Sequence, residues 1–237
     1  MKLAIHHFEL VDSTNVLCEH YIREGAGEGA VILADIQTAA KGRQGKQWVA
    51  PLGNLYTSLV LTPAIHDNSP AVKDYAQLAF MTAVGVRNGL VSMGVEGIQL
   101  KWPNDGLVDG KKLFGILIEC VDDAVIVGIG INVNVIPLGI DQSITCIKTL
   151  MSGETGSDAD VDVTAVFHAL LKSFWQIYRS WIADGFGAIK NEWQSHAYGL
   201  NTQMTMGDRS GVFTGISDEG ALLLTTEDGT IHSIVTV

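Results

Sequence analysis

Proline is scarce in this chain, 5 residues in 237 against 26 glycines, so its turns are mostly glycine turns. Cysteine is scarcer: Cys18, Cys120 and Cys146 lie far apart, are odd in number and form no CxxC. That excludes a disulfide framework and argues against a zinc site, leaving free thiols in a reducing compartment. Cations are also in short supply, with 15 Lys and Arg against 26 Asp and Glu and a formal net charge of −11. A protein that binds nucleic acid broadly needs the opposite excess, so no DNA binding is expected. A negative field repels acidic partners at long range, so any anion site must be local. Long hydrophobic runs are missing as well. Stretches such as Val125 to Val135 are too short to span a bilayer, and the apolar start is broken by His6, His7 and Glu9, without a signal peptide. The expectation is a cytoplasmic protein with no membrane partner. No Gly-x-Ser-x-Gly elbow, HExxH or paired histidine ligands occur, and His6 and His7 would face opposite sides of a strand.

What is present is core. Hydrophobic residues make up 47% of a chain long enough for one large domain plus a small appendage. Residues 3–10 read as a strand, Asp12-Ser13-Thr14 as caps for a helix running to Arg23, and 30–36 as a buried strand. Residues 38–53 form a polar loop, 54–62 alternate like a strand, and Val72 to Met93 read as an apolar helix. A strand at 98–102 follows, then a hairpin turning on Asp109-Gly110, then two strands joined through Asp122-Asp123. Residues 136–161 read as loop-rich; Val163 to Ile182 is an amphipathic helix whose Phe167, Phe174, Trp175, Tyr178 and Trp181 belong in the core, and 187–196 a short helix. From Gly199 the pattern changes to short strands with GD, DEG and EDG turns, a unit too small to be sturdy alone that should dock on the rest.

Four constellations carry chemistry. The segment Lys41-Gly42-Arg43-Gln44-Gly45-Lys46 packs three cations and two glycines behind a buried strand and ends at Trp48. Glycines let backbone N–H groups approach an anion and the cations supply charge, so it reads as a phosphate clamp or, blandly, as a solvated basic loop; it is not a Walker A motif. Lys101-Trp102-Pro103-Asn104-Asp105, followed by Gly110 to Gly115, places Lys101 at a sheet rim where it can balance charge on a reacting carboxylate or phosphate. Asp105 can hold Mg²⁺ or orient a lysine, and the segment also has good turn chemistry. Asp12-Ser13-Thr14-Asn15 can meet a small polar head group or simply cap a helix. Gly128-Ile129-Gly130-Ile131-Asn132 lacks the third glycine of a dinucleotide fingerprint, but its glycines would let a flat ring lie close to the backbone.

The order of these motifs resembles the catalytic region of biotin–protein ligases: Ser-Thr-Asn, Gln37 with the basic loop and Trp48, Asn54-Leu-Tyr, Lys-Trp-Pro-Asn-Asp, Lys112-Leu-x-Gly-Ile-Leu-x-Glu, then Gly-Ile-Gly-Ile-Asn-Val. The resemblance implies an α+β fold at residues 1–198, a mixed, mostly antiparallel sheet packed against helices as in class II synthetases, with a C-terminal SH3-like β-barrel at 199–237. It implies that biotin and ATP, with Mg²⁺, are used to form biotinyl-5′-AMP, from which biotin passes to a lysine of a biotin carboxyl carrier protein. Ser13, Thr14, Asn15, Gln37, Lys41, Gly42, Arg43, Lys101, Gly115 and Ile116 would bind biotin; Arg43, Trp48, Asn54, Asp105, Lys112 and Asn132 would bind ATP. Lys101, Arg43 and Lys112 would carry catalysis, with Asp105 as a candidate Mg²⁺ ligand. The family loop is commonly Gly-Arg-Gly-Arg-x-Gly; here Ala40 and Lys41 replace its first glycine and arginine, and Arg43 matches the second arginine. The motifs start at residue 12, which leaves no room for the winged-helix DNA-binding domain of bifunctional relatives. Relatives often form homodimers. A lipoate or octanoate ligase or transferase of the same fold, and a non-catalytic biotin-binding module, are the alternatives.

Overall fold

The computed structural model describes residues 3–63, 76–155 and 158–235. Two parallel strands, β1 (Ala4–Val11) and β2 (Ala30–Gln37), are joined through helix α1 (Thr14–Arg23), the connection that parallel pairing demands. The remaining strands are β3 (Leu55–Leu61), β4 (Gln99–Lys101), β5 (Asp105–Val108), β6 (Lys111–Val121) and β7 (Ala124–Ile131). They complete a seven-stranded sheet in the order β1-β2-β3-β7-β6-β5-β4, antiparallel from β2 onward. The β5–β6 turn has Asp109 at φ 50° and Gly110 at φ 74°, the left-handed pair of a primed hairpin turn.

Helices cover both faces of this sheet. On one side α1 packs Cys18 with Ile32, Val60 and Ile126. On the other lie α2 (Ala76–Val91) and α4 (Val163–Asp184). Double coverage explains a difference from the sequence reading. β3 was expected to alternate, yet all seven of its residues are buried, as in strands sandwiched between two layers. α2 and α4 approach closely because Gly85 and Gly89 face α4; a Cβ there would meet the Phe174 Cα and Leu170 Cα at 3.1 Å. The expected start of α2 at Val72 lies outside the described residues. α4 is capped by Asp162, whose carboxylate accepts from the Thr164 N–H at 2.8 Å, and ends at Gly185 with φ 77°. Its five aromatics are buried, as their spacing predicts. The segment read as loop-rich contains a helix, α3 (Ile147–Thr155), whose first N–H donates to the Asn132 carbonyl, a long-range contact that local spacing does not encode. No helix among the described residues is long and apolar enough to cross a membrane.

Helix α5 (Gly187–Ser195) leads to a four-stranded antiparallel sheet, β8 (Gln203–Met206), β9 (Arg209–Ile216), β10 (Leu222–Thr225) and β11 (Ile231–Ile234), in the order β11-β10-β9-β8. It does dock: Phe213, Ile216, Leu222 and Leu224 belong to the same buried cluster as Phe80 and Trp193. Polar contacts fix the seam. The Ile216 N–H donates to Gln194 Oε1 at 2.8 Å, and Gln77 donates to the Asp218 carbonyl at 2.8 Å while accepting from Trp181 Nε1 at 2.9 Å.

The three cysteines are free thiols, with Cys18 and Cys146 buried and Cys120 exposed. Burial pushes the Cys18 thiol up to about 12. A thiol-specific chromogenic reagent is therefore expected to titrate one thiol per native chain, Cys120, and all 3 in denaturant. Rapid modification of Cys18 in the native protein would contradict this packing.

Candidate functional site

A cavity of about 620 Å³ opens where the α1 N-terminus, the loop after β2, and strands β6 and β7 meet. That volume suits a small-molecule or nucleotide ligand. Its floor is β7 with Asn132 just past its end; residues 128, 130 and 132 share one face because side chains alternate along an extended chain. From Gly128 to Asn132 the floor runs about 13 Å at a strand's rise per residue. Every step on it has a named neighbour. A Cβ on Gly128 would meet Asn15 Oδ1 at 2.3 Å; one on Gly130 would meet the Trp48 ring at 2.7 Å. Gly115, paired with Gly130 from β6, would meet the same ring at 2.8 Å. Asn132 Nδ2 donates to the Lys112 carbonyl at 3.3 Å. Gly130→Ala is expected to displace Trp48 and raise the Kd of the ligand seated on this floor about tenfold, the scale of an overpacked core. Titration calorimetry checks it, and an unchanged Kd would remove the floor from the site.

The Gly128 end is uncharged and hydrogen-bonding. Ser13 sits at the N-cap of α1, but its side chain makes no capping bond, which sets aside the simple capping reading. Instead the Thr14 N–H donates to Gln37 Oε1 at 2.7 Å, and the Thr14 hydroxyl reaches the same atom at 3.1 Å. A backbone N–H can pair only with the amide oxygen, so Gln37 turns its NH₂ away from α1 as a donor. Behind these residues lies Ser58, fully buried in β3, with Thr14 Oγ1 at 2.7 Å and Asn15 Oδ1 at 2.6 Å. Asn15 Nδ2 donates in turn to Glu119 at 2.6 Å. Ser58 and Glu119 were not singled out from the sequence. Ser58 belongs to the strand after Asn54, and Glu119 ends the Lys112-to-Glu119 motif, so the signal was motif membership without a spatial partner.

The other end is cationic. Lys41, Gly42, Arg43 and Trp48 of the loop, and Lys101, Asp105 and Lys112 of the β4–β6 edge, all line the cavity. The loop is internally bonded: the Gly42 N–H donates to the Lys46 carbonyl at 2.6 Å and the Trp48 N–H to the Ala40 carbonyl at 3.0 Å. Gln44 (φ 56°) and Gly45 (φ 72°) take left-handed backbone to close it. Lys112 is ion-paired with Asp105 at 2.7 Å and stands over the Trp48 ring, 5.1 Å from its centroid. Of the two roles open to Asp105, orienting a lysine is the one the geometry contains. A single carboxylate already paired with an ammonium does not make a protein metal site, and among the described residues no cluster of three or more His, Cys, Asp or Glu could hold one. Arg43 Nη1 donates to Asn104 Oδ1 at 2.8 Å. Burial holds the Arg43 guanidinium below the usual arginine range, partly offset by Asp105.

Gly115, Ile116 and Asn132 also line the cavity, whereas Asn54, one of the residues expected to bind ATP, does not. Asn54 is 2% exposed, and its amide is spent on backbone. Oδ1 accepts from the N–H groups of Val133, Asn134 and Val135 at 2.8, 3.1 and 3.0 Å, and Nδ2 donates to the Val135 carbonyl at 2.9 Å. In this structure Asn54 acts as a clamp on the chain leaving β7. Met206, at the end of β8, reaches the cavity from the C-terminal sheet.

Comparison with known proteins places this geometry. Residues 7–135 match the model of the biotin/lipoate A/B protein ligase family, and residues 201–236 that of the biotin protein ligase C-terminal domain. The bifunctional ligase/repressor BirA of Bacillus subtilis is 35% identical over 235 residues, covering 95% of this chain and 70% of that protein. A biotin–[acetyl-CoA-carboxylase] ligase of Paracoccus denitrificans is 33% identical over 225 residues, covering 90% of each. Among solved structures, the biotin protein ligase of Aquifex aeolicus in complex with biotin and ATP superposes with a TM-score of 0.82 at 30% identity, covering 98% of this chain and 95% of that one.

Proposed function

The chain belongs to the biotin/lipoate A/B protein ligase family, and we propose that it works as an ATP-dependent biotin–protein ligase that loads a lysine of a biotin carboxyl carrier protein. The observation that carries this reading is the two-ended cavity, with a neutral hydrogen-bonding end around Thr14 and Gln37 and a cationic end around Arg43, Lys101 and Lys112. The ureido edge of biotin offers N–H donors and a carbonyl acceptor that match Thr14, Ser13 and Gln37. The dithiolane of lipoate has no such edge and would leave the polar set unpaired, at a cost.

In this reading Asn15 and Ile116 complete the ring pocket, and Lys41 and Gly42 close it from the loop. The valerate carboxylate then lies toward Lys101. Its oxygen attacks the α-phosphorus of ATP, supplied as the Mg²⁺ complex, and pyrophosphate leaves. Lys101, Lys112 and Arg43 offset negative charge that grows on the α-phosphoryl oxygens in the transition state. Asp105 keeps Lys112 in place, and Trp48 and Asn132 border the nucleotide. A deprotonated carrier lysine next attacks the acyl carbonyl, forming the amide and expelling AMP. The work divides between residues 1–198, which hold the cavity, and the 199–237 unit, whose Met206 completes its wall. Three free thiols agree with a cytoplasmic setting.

ATP–pyrophosphate exchange is the test. Exchange is expected with biotin and is expected to be at least about a hundredfold weaker with lipoate, the discrimination a hydrogen-bonding site exerts on a ligand lacking the groups. Equal exchange with lipoate would overturn the substrate assignment. No exchange with either would overturn the enzyme assignment.

A further inference from the structure

Asn104 lies between the two halves of the cavity wall and is 8% exposed. Both ends of its amide are used. Nδ2 donates to the Ile116 carbonyl at 2.9 Å, and Oδ1 accepts from Arg43 Nη1 at 2.8 Å. Its backbone carbonyl also accepts from the Ile116 N–H at 3.0 Å. A carbonyl can only accept, so Ile116 dictates the amide's orientation: NH₂ toward β6, oxygen toward the loop. An aspartate here would turn an acceptor on the Ile116 carbonyl, so the position requires the amide rather than any short polar group.

Arg43 reaches Asn104 from a loop whose other charged members are exposed along the cavity rim. Lys41, Gln44, Gly45, Lys46 and Gln47 are all exposed, whereas Arg43 is partly buried. A guanidinium drawn inward loses hydration, and a fixed acceptor is the compensation it needs. That acceptor is anchored to β6, the strand that also carries Gly115 of the floor. The amide therefore ties the loop to the rigid part of the site.

We propose that Asn104 is a positioning residue that latches the 41–47 loop by holding Arg43 over the cavity, and so sets how long an acyl-adenylate is retained there. The part concerning the adenylate rests on the function proposed above; the latch itself does not.

Two measurements separate these parts. In the ligand-free protein, trypsin can cut after Lys41, Arg43 and Lys46. Asn104→Ala is expected to be cut in this loop about tenfold faster under native conditions, the effect of losing one hydrogen bond to a charged group. An unchanged rate overturns the latch. The second measurement follows release of preformed biotinyl-adenylate, also expected to quicken about tenfold in Asn104→Ala. In an Arg43→Gly background the same change should add nothing, because a residue acting through Arg43 has nothing left to act through. A further acceleration there would mean that Asn104 merely props Ile116, and the proposal would fall. If wild type forms no biotinyl-adenylate, the functional reading fails while the trypsin arm still decides on the latch. Asn104→Ser, too short to reach Arg43, gives the same comparison should the alanine variant fold poorly.

Discussion

Lys101→Ala is expected to lower pyrophosphate release and ATP–pyrophosphate exchange at least about a hundredfold, the cost of removing one preorganised charge contact from a transition state. Lys101 closes β4 and pairs in register with Asp105, so its backbone is fixed by the sheet while its side chain extends from the rim. The next residue, Trp102, is 8% exposed and anchors that rim in the core. Lys112 is already partnered by Asp105 at 2.7 Å; Lys101, exposed on the cavity wall, takes part in no ion pair among the described residues. Its ammonium is therefore free to meet charge that appears only as the carboxylate and phosphate join. The loss should fall on kcat more than on the KM for biotin. Stability should change by less than about 0.5 kcal/mol, as for an exposed side chain without partners. Near-normal pyrophosphate release by this variant would remove Lys101 from the chemistry.

Arg43→Gly is expected to form adenylate but to release it about 10- to 100-fold faster, the range for a hydrogen bond to a charged group. Arg43 is the half-buried cation of its loop, so its deletion removes the hydrogen bond to Asn104 and loosens the cavity's cationic end. Released mixed anhydride acylates amines without a template. Bystander proteins mixed with the variant, biotin and ATP should gain biotin in a time-dependent way, whereas wild type should label its carrier alone. Equal selectivity of the two proteins would count against retention by Arg43. This expectation differs in kind from that for Lys101: one variant fails to make the intermediate, the other fails to keep it.

The floor and cations of this site were legible in the sequence because they are local. Lys101 to Asp105 is one turn, Lys41 to Lys46 is one loop, and Gly128 to Asn132 is one strand, so spacing alone brings each set together. What was not legible depends on contacts across the chain. Ser58 looks like an ordinary strand serine until Thr14 and Asn15 are placed against it. Asn54 was expected at the nucleotide because it heads a motif, yet three backbone N–H groups some 80 residues away claim its oxygen. β3 lost its alternation because helices cover both faces, a property of the layers rather than of the strand. α3 escaped notice because its start is fixed by Asn132, not by a local cap. The small C-terminal sheet was expected to dock on the rest, and it shares the buried cluster of the larger one.

The floor of Gly115, Gly128 and Gly130 has a consequence for which ligands can be accepted. Hydrogen is the smallest substituent a residue can carry, so no substitution on β6 or β7 at these positions can deepen the slot; each can only make it shallower. Directly on the floor, in contact with Gly115 and Gly130, lies Trp48, carried on a loop rather than a strand. A ring system that reaches Gly115 and Gly130 must therefore displace Trp48, which a loop permits more readily than a strand would. Added bulk on a ligand should therefore be tolerated where it pushes on Trp48 and refused where it meets the strand backbones. Enlarging the range of acyl groups this protein can load is then a matter of redesigning one loop.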